Sequence, residues 1–119
     1  MKKTIFLSAL FCLSLCPALA QQRGAEPTMD GVARSASLMQ TIGDVCPPLM
    51  DVNKALAERY AKAFVETGEQ AYGKGKFAPA MAAERARRAA EVKAATPESW
   101  CIEQRDRLKP MGGAELFSK

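Results

Sequence analysis

The chain has 119 residues and a formal net charge of +4, with 17 basic residues, 13 acidic residues and no histidine. A chain of this length forms one domain, which buries roughly two-thirds of its unfolded surface at best. From length and composition we expect neither a second domain nor an enclosed active site of any size.

The first 20 residues have the three parts of a secretory signal peptide in order. The opening MKK is positively charged, residues 5–15 are almost wholly apolar, and ALA at 18–20 places small residues at −3 and −1 before Gln21. We expect Sec export with cleavage after Ala20. The apolar run is shorter than the roughly 20 residues that span a bilayer, so we expect no stable membrane insertion after cleavage.

The opening MKKT and the junction ALAQQ resemble the export signals of Gram-negative envelope proteins, and this resemblance implies the periplasm. Cys12 follows phenylalanine and Cys16 follows leucine, whereas a lipid-modified cysteine follows small residues, so we expect both to leave with the signal. Cleavage also removes Lys2 and Lys3 and lowers the net charge to +2. Nucleic acid is therefore not an expected partner.

Residues 21–30 are polar, with one glycine and one proline among the first seven, and predict a flexible leader. Apolar residues then recur at three- and four-residue steps and predict a first helix over 31–45. The double proline at 47–48 ends it, because proline removes a donor and restricts the residue before it. A second amphipathic helix is predicted over 51–72 and ends at the GKGK sequence of 73–76.

Cys46 lies at the corner made by the double proline, 55 positions before Cys101. An even number of cysteines in an oxidising compartment predicts a structural disulfide between them. The separation does not suit a redox motif, and two thiolates without histidine rarely satisfy a tetrahedral zinc. We expect a disulfide, no metal site and no cofactor.

A third helix, rich in alanine, is predicted over 78–95, with Pro79 in its first turn. The sequence TPE predicts the start of a fourth helix over 97–108, because a threonine cap, a proline and an acid suit a helix N-terminus. Within it, we expect Trp100 to anchor the core and cover the disulfide.

Four helices with short connections predict an all-α domain over 31–110, either a small four-helix bundle or paired helical hairpins, stapled by one disulfide. The C-terminal tail, 111–119, carries two apolar residues, Leu116 and Phe117. They either dock on the core or form an exposed hook that contacts a partner.

The middle of the chain resembles one tetratricopeptide unit. Five residues fall at the spacing of that repeat's marked positions: Phe64, Gly68, Gly75, Phe77 and Ala80. The resemblance implies a helical hairpin. It fails at Glu84 and Arg87, and no second copy follows, whereas such repeats need about three units to bury a continuous core.

The densest basic cluster lies in the sequence ERARRAAEVK of the third helix and comprises Arg85, Arg87, Arg88 and Lys93. Glu84 and Glu91 interleave with it, which favours a solvated face of mixed charge. The functional alternative is contact with an anionic envelope polymer or an acidic protein partner.

No serine or threonine is spaced with a lysine or carboxylate as an activated nucleophile requires, so we expect no enzymatic activity. We predict a small periplasmic helical protein that binds another envelope protein as an adaptor, accessory factor or inhibitor. Its candidate contacts are Arg85, Arg87, Arg88, Lys93, Leu116 and Phe117. The alternative is a stress chaperone that exposes apolar surface when carboxylates titrate near pH 4.

Overall fold

A computed structural model describes residues 28–117, and the predicted signal peptide and residues 21–27 of the predicted leader lie outside this range. Within it the chain forms four α helices and a short 3-10 helix and contains no strand. They are α1 (Met29–Val45), α2 (Lys54–Tyr72), α3 (Lys74–Ala95), α4 (Pro97–Leu108) and the 3-10 helix (Lys109–Met111). The predicted all-α fold is confirmed. None of these helices is both long enough and apolar enough to cross a membrane.

Helix α1 lies at the centre of the domain, since α2, α3 and α4 all pack against it. It begins at Thr28, whose side-chain oxygen accepts a hydrogen bond from the Gly31 amide at 3.0 Å. Its last buried positions approach α2 closely, because Gly43 leaves room for the methyl group of Ala57. The central helix therefore carries buried residues on several faces.

Single residues connect α2 to α3 and α3 to α4. Gly73 adopts φ 88° and ψ 144°, and Thr96 adopts nearly the same angles, φ 79° and ψ 146°. Glycine enters this region without steric cost, whereas a β-branched residue is strained there. The predicted GKGK break is therefore one residue long. Helix α3 begins at Lys74, which places Pro79 beyond its first turn.

A first apolar cluster, here called the disulfide cluster, joins α1, α2, α4 and the tail. Its buried members are Ile42, Cys46, Ala57, Trp100, Cys101, Leu116 and Phe117. The sulfur atoms of Cys46 and Cys101 lie at bonding distance, 2.07 Å, as the predicted disulfide requires. Trp100 is buried beside it, as expected.

The tail docks on this cluster. Leu116 and Phe117 are only 1% and 2% exposed, and the backbone carbonyl of Leu116 accepts a hydrogen bond from the Asn53 amide at 2.9 Å. Asn53 is also the N-cap of α2, so the tail is attached where that helix begins. Of the two alternatives for the tail, the structure shows docking, and the exposed hook is wrong.

A second apolar cluster, here called the Phe77 cluster, joins the start of α1 to α3. Its buried members are Val32, Ala33, Ala36, Phe77, Ala80 and Met81. The ring of Phe77 lies against Gly68 of α2, where a Cβ atom would come within 2.6 Å of three ring atoms. This contact holds α2 and α3 together as the helical hairpin that the tetratricopeptide resemblance implied.

Candidate functional site

The inward face of α3 changes from apolar to charged along its length. Phe77 and Met81 belong to the Phe77 cluster, and the next two inward positions are Glu84 and Arg88, which are only 4% and 7% exposed. The steps of four, three and four residues place all four side chains on one helix face. The prediction that Arg88 belongs to a solvated face is therefore wrong.

The Arg88 guanidinium donates three hydrogen bonds to other groups of the protein. Its Nε donates to Ser37 Oγ at 3.4 Å, Nη2 donates to the Arg34 carbonyl at 3.3 Å, and Nη1 donates to Glu91 Oε1 at 3.0 Å. These bonds tie α3 to the middle of α1. Arg88 is therefore a structural residue and not a contact for a partner.

Glu91 links this arginine to the disulfide cluster, because its Oε1 also accepts a hydrogen bond from the Trp100 indole at 3.3 Å. Burial raises the pKa of the Glu91 carboxyl. Hydrogen bonds from Arg88 and Trp100, with the positive charges of Arg88 and Arg107, outweigh burial and hold that pKa below its ordinary value of 4.5.

Glu84 is the other inward carboxylate of α3. Arg34 Nε lies 4.0 Å from its Oε2, and Arg87 Nη1 lies 3.5 Å from its Oε1. The buried Oε2 atom has no hydrogen-bond partner among the described residues. Two arginines thus approach this carboxylate without satisfying both of its oxygens.

With both carboxylates of α3 turned inward or engaged with Arg88, the helix exposes cations. Its exposed charged residues are Lys74, Lys76, Arg85, Arg87 and Lys93. The predicted mixed-charge face is wrong for Glu84, which is buried, whereas Glu91 stays partly exposed and pairs with Arg88. We use the name basic face for Arg85 and Lys93, which line the same cavity with the exposed Ala89 between them. Arg87 lies on the other side of the helix from Arg85 and approaches Glu84.

An open groove runs beside the basic face, between α2 and α3, with α1 as its floor. Two adjoining cavities of about 640 and 400 Å³ form it and share Gln40, Asp44 and Arg85. The α2 wall carries three carboxylates, those of Glu58, Glu66 and Glu69, and one cation, Lys62. The α3 wall carries Arg85 and Lys93. The groove is therefore polarised, acidic on one side and basic on the other.

The sequence-predicted contacts thus separate into two groups. Arg85, Arg87 and Lys93 share an exposed helix, whereas Arg88 is buried in the polar interior. Leu116 and Phe117 are also buried, so neither is available to a partner in the folded domain. The sequence did carry a signal for the inward position of Arg88. It lies four residues after Glu84 and seven residues after Met81, which places all three on the same helix face.

A second surface was not predicted at all. Beside α1, two smaller cavities of about 230 and 260 Å³ adjoin at Leu108 and Met111. Met111 falls in the predicted C-terminal tail, and its position next to α1 depends on how α4 crosses that helix. No local pattern could have indicated this surface.

Within residues 28–117, no three histidine, cysteine, aspartate or glutamate residues lie together as a metal site would need. Comparison of the chain with protein-family models, with curated proteins and with solved structures finds no match.

Proposed function

We propose that this protein is a non-enzymatic periplasmic binding protein that docks the basic face of α3 against an acidic surface of another envelope protein. One observation carries the proposal, namely that the fully exposed charged residues of α3 are cations, while Glu84 is buried and the partly exposed Glu91 carboxylate is paired with Arg88. Such a protein acts as an adaptor, an accessory factor or an inhibitor of its partner.

The composition of the basic face suits a helical or flat partner. Alanine side chains allow another backbone to approach closely, and the cations around them can pair with carboxylates of the partner. Charges at the rim of an interface mainly raise the association rate and reject partners of the wrong sign. The face therefore selects for acidic surfaces before close packing begins.

Two further features support a periplasmic site of action. The first 20 residues have the pattern of an export signal, and a disulfide between Cys46 and Cys101 persists in an oxidising compartment.

The test is cross-linking of the tagged protein in the periplasm of its native host, with mass spectrometry of the captured protein. Arg85→Glu combined with Lys93→Glu should lower capture of a specific partner by about tenfold, because opposite charges become like charges. Arg59→Glu combined with Lys109→Glu changes the net charge equally at exposed positions away from the basic face. Equal capture by the two double variants would refute the proposal.

A second function, an acid-activated chaperone, is supported by the polar contacts between α1 and α3. Protonation of Glu91 would leave Arg88 without its counter-charge at the contact between α3 and α1. The separation of α3 from α1 would then expose apolar surface. Binding of a hydrophobic dye should increase between about pH 5 and pH 3, where carboxylates titrate, with the disulfide intact. No increase would eliminate this alternative.

A further inference from the structure

The two smaller cavities beside α1 adjoin each other and are distinct from the groove. They adjoin at Leu108 and Met111, and they share no α1 residue with the groove. We call the pair the Met111 cleft. Its two ends differ in chemistry, and this difference is the observation on which the inference rests.

The first end of the Met111 cleft is basic. Arg34, Arg88 and Arg107 line it together with Ser35 and Leu38. Arg88 is internally bonded, whereas Arg107 is exposed, donates from Nη2 to the Gln104 side-chain oxygen, and lies close enough to Glu91 for its charge to lower the pKa of that carboxyl. Arg34 is half exposed, and its nearest carboxylate oxygen lies at 4.0 Å. Donors of both Arg34 and Arg107 are therefore available to an anion.

The second end is apolar. Met39, Tyr60, Phe64, Leu108 and Met111 line it, with the buried Leu116 at its base. Met111 is 75% exposed, the largest exposure among the large hydrophobic residues that the structure describes. An unbranched hydrocarbon chain placed here would remove this apolar surface from water, which is favourable.

We propose that the Met111 cleft binds a small amphiphile with a carboxylate head and an unbranched apolar tail. The head lies between Arg34 and Arg107, whose guanidinium groups match a carboxylate in geometry and charge. The tail passes Met111 and lies along Tyr60 and Phe64. A chain of about ten carbons suits two adjoining cavities of this combined size.

Decanoate is the probe, and the protein carries its own reporter. Trp100 is the only tryptophan of the chain, and it lines a neighbouring cavity of about 360 Å³ together with Arg88 and Arg107. Occupation of Arg107 should change the Trp100 fluorescence saturably, and calorimetry should give the same dissociation constant. Decanol has the same tail without the charge and should bind about tenfold more weakly.

Two substitutions test the assigned contacts. Arg107→Gln should weaken decanoate binding by about tenfold, since it removes a charged donor. Arg105→Gln is the matched control, because Arg105 is two residues away on α4 and pairs with Asp106 at 3.1 Å. Met111→Glu places a carboxylate between the head and tail sites and should also weaken decanoate binding, because it repels the head and is unfavourable next to the tail. Circular dichroism should show that all three variants are folded, since none of these side chains is buried.

Three results would overturn the proposal. Decanoate could fail to bind saturably to the folded wild-type protein, decanol could bind as tightly as decanoate, or the two arginine variants could lose affinity equally. Binding of a peptide with an apolar C-terminal residue and a free carboxylate, without binding of decanoate, would assign the cleft to a protein terminus and refute the amphiphile. The captured protein partner of the basic face should be unaffected by Arg107→Gln.

Discussion

The single-residue connections at Gly73 and Thr96, here called the two corners, have nearly the same backbone geometry. The apolar clusters next to them are held together in different ways. The carbonyl of Gly73 accepts a hydrogen bond from the Phe77 amide at 2.9 Å, and the carbonyl of Thr96 accepts one from the Trp100 amide at 3.0 Å. Each corner thus precedes, by four residues, the buried aromatic residue of its cluster.

The clusters differ in how that aromatic residue is held. Phe77 is the only aromatic among the buried members of its cluster, whose other buried members are small or of medium size, and its position depends on the space above Gly68. Trp100 lies among larger side chains beside a covalent bond between α1 and α4. One region is held by close fit, and the other is held by a cross-link and a docked tail.

Removal of the disulfide should have the largest effect. Cys46→Ser combined with Cys101→Ser opens a 55-residue separation and should lower the free energy of unfolding by up to about 4 kcal/mol, since the unfolded chain regains entropy. Chemical denaturation of the oxidised, reduced and double-mutant proteins measures this. An unchanged midpoint after reduction would show that the disulfide cluster does not depend on its cross-link.

The fit at the Phe77 cluster is tested by Gly68→Ala. The new methyl group would overlap the buried Phe77 ring, so the free energy of unfolding should fall by about 2 kcal/mol although alanine favours a helix. Gly75→Ala is the control, since no atom lies within 4 Å of that Cβ position, and it should stabilise α3 by about 0.5–1 kcal/mol. A stabilised Gly68→Ala protein would contradict the close fit.

The substitution Glu91→Gln tests the hydrogen bonds by which Glu91 links Arg88 to Trp100 of the disulfide cluster. At neutral pH this change should lower the free energy of unfolding by about 1 kcal/mol, because the half-buried Glu91 carboxylate bonds both Arg88 and Trp100. Since the folded-state pKa of Glu91 is held below 4.5, its contribution is present above that pH and is lost as the pH falls through the folded-state pKa.

The difference in stability between wild type and Glu91→Gln should therefore shrink in acid, as measured by thermal melts from neutral pH to below pH 4.5. Glu66→Gln, at an exposed position of α2, serves as the control. A difference that stays constant over this range would show that the Glu91 charge does not stabilise the fold.

The smallest effect is expected at the Thr96 corner. Thr96→Gly should relieve the strain of a positive φ and raise the free energy of unfolding by about 0.5–1 kcal/mol, even though the capping bond to the Ser99 amide is lost. Thr67→Gly, within α2, should lower it by about 0.5 kcal/mol. Differential scanning calorimetry compares the Thr96→Gly and Thr67→Gly variants. Equal destabilisation of the two would show that the backbone at Thr96 is unstrained.

Much of the local structure was predictable because its signals are local. The fourth helix was predicted over 97–108 and is found at Pro97–Leu108, since its cap and proline act within one turn. The start of α3 was predicted four residues too late. A single glycine is enough for this corner, so Lys74 to Lys76 wind into the helix instead of forming a loop.

The exposed site was less predictable than the fold. Arg85, Arg87 and Lys93 were correctly placed on one exposed helix, but Arg88 was assigned to the same surface. Alanine occurs on every side of α3, so its sequence does not distinguish an inward face from an outward one as an amphipathic helix does. The charge of the exposed face could be known only once the inward face was known.

The sequence by itself determined the number of α helices, the positions of most of their ends and the pairing of Cys46 with Cys101. These features follow from turn residues, periodicity and redox environment, which act over short distances or by simple counting. The tertiary structure decided which side of α3 meets α1, that the tail is buried, and that α4 places Met111 beside α1. Each of these depends on the fit between segments far apart in the chain, with Phe77 against Gly68 as the clearest case.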